Sequence, residues 1–238
     1  MAKKSRTNEQ WREESLETLY RSGVAVFSEK GFRGASLDEI AKLAGMSKAG
    51  LLFYFDNKDK YLAHILRRIT AVYIDAAIAR AKEEKDVVDR VVRFLHQQVS
   101  YSVKNQREII LFVLLSIELR NAESESGAII AQKYKDMRDF IEEVVHEGIK
   151  TGRFSADVRL RETSSTFMAI HDGILLEWVR RGEELDGSEL VRVFRRALLA
   201  SLFPAQSRTA AHKLLTFQPE IANVRAPPVR KARRASDQ

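Results

Sequence analysis

Residues Ser36–Lys60 read S-L-D-E-I-A-K-L-A-G-M-S-K-A-G-L-L-F-Y-F-D-N-K-D-K. Ser36 is a good helix N-cap, and Glu39 three residues on completes a capping-box pattern. Leu37, Ile40, Ala41 and Ala44 follow at helical spacing as one apolar face. Gly45 comes directly after them, where glycine supplies the left-handed backbone that ends a helix and turns the chain. Met46 is placed to plug the corner. Ser47 caps a second helix over about Lys48–Phe55, Asp56-Asn57 ends it, and Lys58 opens a longer one. A helix, a short glycine-containing turn and a second helix make a helix-turn-helix, whose second helix enters the DNA major groove.

Outward from this stretch, the chain reads as helical throughout its body. All four prolines lie at or beyond Pro204, and no hairpin turn separates alternating runs. Upstream, residues 9–30 predict a first helix with Leu16, Leu19, Tyr20, Gly23, Val24 and Phe27 at three- and four-residue spacing, ended by Gly31. Residues 1–8 read as a flexible basic arm with Lys3, Lys4 and Arg6, either a disordered terminus or an arm that reaches the DNA backbone or minor groove. Downstream, Lys58 to about Lys82 predicts a fourth helix with a stripe of Tyr61, Leu62, Ile65, Leu66, Ile69 and Tyr73. Asp86 caps a fifth, to about Val103. A sixth over 106–121 is apolar on most faces, as interior helices are. Asn121–Gly127 reads as a connection, because Glu-Ser-Glu-Ser has no apolar face. Helices over about Ala128–Thr151, Leu160–Arg181 (stopped by Gly182) and Gly187–Phe203 complete an all-α body of about nine helices. Residues 204–238 read as a basic, largely disordered tail with a marginal helix at Thr209–Phe217.

The formal net charge of +7 is unevenly spread. Residues 1–60 hold 11 Lys/Arg against 9 Asp/Glu, residues 61–203 hold 22 against 22, and residues 204–238 hold 7 against 2. Most of the basicity therefore sits in the tail. The helix-turn-helix carries the argument for DNA, and the charge permits it. The longest apolar run, Ile109–Leu115, is far short of the ~18 residues a membrane span needs. The first ten residues are polar, with no secretory signal, so the expected location is cytoplasmic. Absence of cysteine excludes disulfides and thiolate metal sites. The five histidines include no i, i+4 pair of the helical metal-site kind, and no phosphate loop or nucleophile elbow occurs. No metal, cofactor or catalytic residue is expected. His146, beside Glu142, Glu143 and Glu147, reads as a surface histidine.

Ile40-Ala41, Ala44-Gly45-Met46-Ser47-Lys48, Tyr54-Phe55 and Lys58, with Ala25, Phe27, Gly31-Phe32 and Ala35-Ser36 upstream, resemble the signature of the TetR family of bacterial transcriptional regulators. The resemblance covers roughly the first 65 residues. Leu52 and Phe53 depart from the family's usual side chains, so a contact made by those side chains does not carry over. The resemblance implies an N-terminal three-helix head over 1–57, a helical ligand-binding and dimerisation domain over 58–203, and an operator bound by the second helix of the motif. The candidate DNA-facing residues are Ser36, Ser47, Lys48, Ala49, Gly50, Leu52, Phe53, Tyr54 and Lys58. Lys48 is the best single base or phosphate contact. Ala49 and Gly50 admit close approach. Leu52 and Phe53 either meet a thymine methyl or pack inward. Tyr54 either donates to a phosphate or joins the core, where Phe55 beside it belongs.

In the larger half, Phe167, His171, Ile174 and Trp178 share one helix face. They read as core, dimer interface, or an aromatic ligand pocket with His171 as polar handle, to which Tyr101, Phe112 and Phe140 contribute. Gly173 on the same helix suggests close approach by a neighbour. One recognition helix reads few base pairs, so a homodimer on a two-fold symmetric double-stranded operator is expected, joined by the last two folded helices. The resulting expectation is a repressor released by a small-molecule effector. The rivals are an activator, a non-inducible DNA-binding or interaction protein signalled by a protein partner, and an enzyme whose site the sequence does not show.

Overall fold

The computed structural model describes residues 7–181 and 184–203. Gly182, the arm's Lys3, Lys4 and Arg6, the tail and its Thr209–Phe217 segment lie outside the described residues. Among the described residues there is no strand, and the helices are α1 (Asn8–Gly34), α2 (Leu37–Leu43), α3 (Lys48–Tyr54), α4 (Lys58–Thr70), α5 (Ala76–Lys82), α6 (Val87–Lys104), α7 (Gln106–Glu118), α8 (Glu125–Lys150), α9 (Leu160–Arg181) and α10 (Gly187–Leu202). A π-helical turn, Ala71–Asp75, makes α4 and α5 one continuous rod, so nine rods are formed.

Local chemistry sets most of the ends. Thr7 caps α1 in a full capping box with Gln10. Gly31, at φ 70°, breaks α1 where the sequence expects it to stop, and a last turn continues to Gly34. Asp86 caps α6 by accepting from Val88 N at 2.7 Å. One helix starts earlier than expected. The Glu-Ser-Glu-Ser segment is not a connection throughout, because α8 begins at Glu125. The Asp59 carboxylate of α4 accepts from Glu125 N and Ser126 N at 2.9 and 3.3 Å, and Ser126 Oγ donates to Asp59 O at 3.0 Å. These contacts add to the local cap, in which Ser124 Oγ accepts from Gly127 N at 3.1 Å.

The chain packs as two compact units. The first holds the described residues up to Ala76 together with Asn105–Met137, and the second holds Ala77–Lys104 with the described residues from Arg138 on. This partition differs from 1–57 against 58–203. In the first unit α1 packs on α2, α4 and α7. Its core is built from fully buried Leu19, Phe27, Ile40, Leu51, Tyr61, Leu62 and Ile65. Tyr61 donates its hydroxyl to Leu19 O at 2.5 Å, and a Cβ on Gly23 would fall 2.3 Å from the Tyr61 hydroxyl oxygen, so α1 and α4 meet on a residue with no side chain. Burial pushes the Tyr61 phenol well above its ordinary range.

In the second unit α10 packs on α6 and α9. The Phe154 ring lies on Gly148, where a Cβ would fall 2.0 Å from it, and Gly152, at φ 70°, turns the chain between them. Among the described residues the close approach expected at Gly173 is not made, since a Cβ there meets nothing within 4 Å. It occurs instead at Gly187, whose Cβ position lies 3.1 Å from Trp178 Nε1.

Candidate nucleic-acid interface

The turn between α2 and α3 is built as a rigid corner. Gly45 takes φ 70°, Met46 N donates to Ala41 O at 2.9 Å, and Gly45 N donates to Lys42 O at 3.2 Å, which together close the α2 C-terminus. Ser36 Oγ accepts from Glu39 N at 3.2 Å, and Ser47 Oγ accepts from Gly50 N at 3.0 Å. The reciprocal half of the capping box at Ser36 is not made. Glu39 turns instead to Lys30, with Nζ–Oε1 of 2.5 Å.

Leu51 anchors α3 from inside at 0% exposure. Phe55 is buried beside Tyr61, with ring centroids 4.9 Å apart, as the sequence predicts. The opposite side of α3 is open. Ser47, Lys48, Ala49, Leu52 and Phe53 are exposed, while Gly50 and Tyr54 are half-buried. Phe53 is 85% exposed and meets the Tyr54 ring edge-on at 5.5 Å. Leu52 and Phe53 therefore do not pack inward. The Lys48 ammonium pairs with the Asp38 carboxylate of α2 at 2.8 Å, with both side chains more than half exposed. Sequence reasoning missed Asp38 in this role, because ten residues and a turn separate it from Lys48.

Lys58 has a structural commitment besides its place at the start of α4. Its ammonium donates to Phe32 O at 2.8 Å and Ala35 O at 3.0 Å and sits 4.6 Å over the Phe32 ring. From α7, the Glu118 carboxylate accepts from Phe32 N at 2.9 Å and Arg33 N at 2.8 Å. Two charged side chains thus hold the Gly31–Ala35 link into the helix-turn-helix, one by its carbonyls and one by its amides. Glu118 carried no local signal, since its partners lie 85 and 86 residues away.

The aromatic set expected to line one pocket divides between the units. Phe112 belongs to the first, stacked on Tyr134 at 5.3 Å and near Tyr73 at 6.3 Å. In the second unit Phe94 meets Phe140 at 4.9 Å and Phe167 at 6.1 Å, and Phe167 meets Phe194 at 5.5 Å. His171 stacks on Phe167 at 6.1 Å, with its Nδ1 2.9 Å from the Asp172 carboxylate. Trp178 is buried, and its Nε1 has no hydrogen-bond partner among the described residues. Tyr101 and Ile174 are half-buried. Arg195 of α10 is buried as well, and burial, with Arg192 adding like charge, lowers its pKa. Among the described residues no group of His, Asp and Glu side chains is arranged to hold a metal, and no helix is long and apolar enough to cross a membrane.

Comparison with known proteins agrees with this architecture. Residues 19–65 match the model of bacterial regulatory proteins of the tetR family, and residues 67–201 match that of the YsiA-like protein C-terminal region. The fatty acid metabolism regulator protein of Bacillus subtilis strain 168 is 21% identical over 165 residues, covering 69% of this chain and 84% of that protein. The crystal structure of the MbdR regulator from Azoarcus sp. CIB superposes with a TM-score of 0.71 at 27% identity, covering 80% of this chain and all of that one. FadR from Bacillus subtilis, solved in complex with stearoyl-CoA, superposes with a TM-score of 0.65 at 19% identity over 78% of this chain and 98% of its own. The family is one of regulators, not enzymes. With both family models matched and the helix-turn-helix in place, the chain belongs to the TetR family of bacterial regulatory proteins and is a DNA-binding transcriptional regulator.

Proposed function

We propose that this regulator is a repressor that binds a two-fold symmetric operator as a homodimer and is released by a small-molecule effector, with a fatty acyl-CoA thioester as the effector class. The observation that carries the DNA part is the α3 surface, an exposed face from Ser47 to Phe53 on a helix anchored by Leu51 and capped by Ser47. Residues 1–57 act as the DNA-binding head, residues 58–203 carry effector and dimer functions, and the +5 tail adds non-specific attraction to DNA. One α3 spans only a few base pairs, so two copies are needed to specify a site. The α9 and α10 surfaces suit the dimer contact, since each buries one face and leaves an apolar side chain on the other, Ile170 at 38% and Val193 at 65% exposure.

The effector class rests on the name of the Bacillus subtilis relative, which regulates fatty acid metabolism, and on the stearoyl-CoA bound in the FadR crystal. The second unit has the matching chemistry. Its aromatic interior of Phe94, Phe140, Phe167 and Phe194 suits an acyl chain, and buried Arg195 suits an anionic group. The test is selection of bound sequences from genomic DNA with the purified protein and with Lys48→Ala. A shared palindrome, weakened by the substitution and released by stearoyl-CoA but not by free CoA, supports the reading. Recovery of no shared sequence, with affinity that survives Lys48→Ala and is lost on truncation after Phe203, refutes it.

A further inference from the structure

The recognition surface is short of hydrogen-bonding side chains. Within Lys48–Tyr54 only Lys48 and Tyr54 carry a polar side-chain atom. The Lys48 ammonium is paired with Asp38, and the neighbouring Ser47 hydroxyl already serves as the cap acceptor for Gly50 N. Tyr54 is half-buried between Phe53 and Phe55, with ring centroids 5.5 and 6.4 Å away. The side chains that project most freely are apolar: Ala49, Leu52 at 36% exposure and Phe53 at 85%. Leaving a phenylalanine this exposed is unfavourable unless something covers it when the protein works.

In the major groove the apolar feature of the base edges is the thymine 5-methyl group, while guanine and adenine are read by paired donors and acceptors. This helix lacks the arginine, asparagine and glutamine side chains that make bidentate base contacts. We infer that the protein reads its operator chiefly through thymine methyl groups, with Phe53 as the specificity-determining side chain and Leu52 as its neighbour on the same surface. The inference rests on α3 being the recognition helix and adds what it recognises. Phe53 is held for that task from its own helix, since the Tyr54 ring meets it at an interplanar angle of 88° and restricts where it can swing.

The experiment replaces thymine by deoxyuridine, one position at a time, in an operator obtained by selection. The exchange removes one methyl and leaves every hydrogen-bonding group in place. Binding is read by fluorescence anisotropy for the full-length protein, Phe53→Ala and Lys48→Ala. Burial of one methyl predicts an affinity loss of about fourfold at one or two thymines in each half-site for the wild type. Phe53→Ala is expected to bind the thymine operator more weakly and to show a thymine-to-uracil ratio near one at those positions. Lys48→Ala is expected to weaken both operators while keeping the ratio. Circular dichroism melting of Phe53→Ala checks that the exposed substitution leaves the fold intact. An operator that is bound specifically, yet equally well with uracil throughout, overturns the inference and leaves the repressor reading standing. So does a full thymine preference in Phe53→Ala. Failure to select any sequence overturns both.

Discussion

Replacing Asp38 by asparagine removes the carboxylate that lies 2.8 Å from the Lys48 ammonium. Both groups are more than half exposed, so their pairing in the free protein is worth only about 0.2–1 kcal/mol. On DNA the same carboxylate offsets the attraction of Lys48 for a phosphate and repels the backbone itself. At about 8 Å in water-like dielectric that repulsion is about 0.5 kcal/mol before screening. Together the two effects give about 1 kcal/mol, or about fivefold tighter binding per half-site at low salt. Two half-sites in a dimer compound that to roughly twenty-fivefold. Asp38 also lies in the first turn of α2, where a negative charge favours the helix by about 0.3–1 kcal/mol. Asp38→Asn is therefore expected to melt slightly earlier while binding more tightly. Titrations from low to moderate salt should steepen the slope of log affinity against log salt by up to about 0.9 per half-site as the freed ammonium neutralises a phosphate. The control is Asp38→Asn combined with Lys48→Ala, in which the part acting through Lys48 disappears. Weaker binding by Asp38→Asn, or an undiminished gain in the double variant, would refute the assignment of the ion pair as a brake on DNA binding.

Other perturbations follow from the same geometry. Glu118→Gln keeps one acceptor for Phe32 N and Arg33 N but turns an amide nitrogen toward them, so a loss of about 1 kcal/mol is expected, with faster hydrogen exchange at those two amides; unchanged exchange would mean that the carboxylate does not hold this link. Gly148→Ala drives a methyl into the Phe154 ring and should cost about 3 kcal/mol, or roughly 6–12 °C in Tm for a chain of this size, with partial recovery on adding Phe154→Leu. His64 and His96 both have pKa values lowered, chiefly by burial and then by neighbouring arginines. The unfolded chain therefore takes up protons near pH 6.5 that the folded chain resists, so this part of the stability is fully present above about 6.5 and falls on acidification. Denaturant midpoints between pH 7.5 and 5 should show that fall, and His64→Gln should reduce it.

The motif was legible because its determinants are local. Ser36, Gly45 and Ser47 each act within four residues of themselves, and each does in the structure what its type and position predict. The outward face of α3 was half legible. Phe55 read as core from the sequence, but two apolar residues in a row, Leu52 and Phe53, fit either side of a seven-residue helix. Their exposure was settled only by the tertiary placement of Leu51 and Tyr61.

What the sequence hid is what depends on charges reaching between helices. Asp59, 66 residues away, joins the local Ser124 cap in satisfying the first amides of α8, so Glu-Ser-Glu-Ser, with no apolar face, still begins a helix. Glu118 and Lys58 grip opposite edges of the Gly31–Ala35 link, and neither pattern nor propensity marks them. The placement of the aromatic residues was hidden for a different reason, the choice of packing partner. A 13-residue helix as apolar as α7 announces burial without naming its partners, and Phe112 spends its ring on Tyr134 of the first unit. The grouping has a functional consequence. Glu118 of α7 is bonded to the head at Phe32 and Arg33, and the start of α8 is bonded to Asp59 of α4, all within one unit. On the proposed reading of release by an effector, removing either carboxylate should weaken that release more than it weakens the operator complex itself, which operator binding with and without stearoyl-CoA would measure.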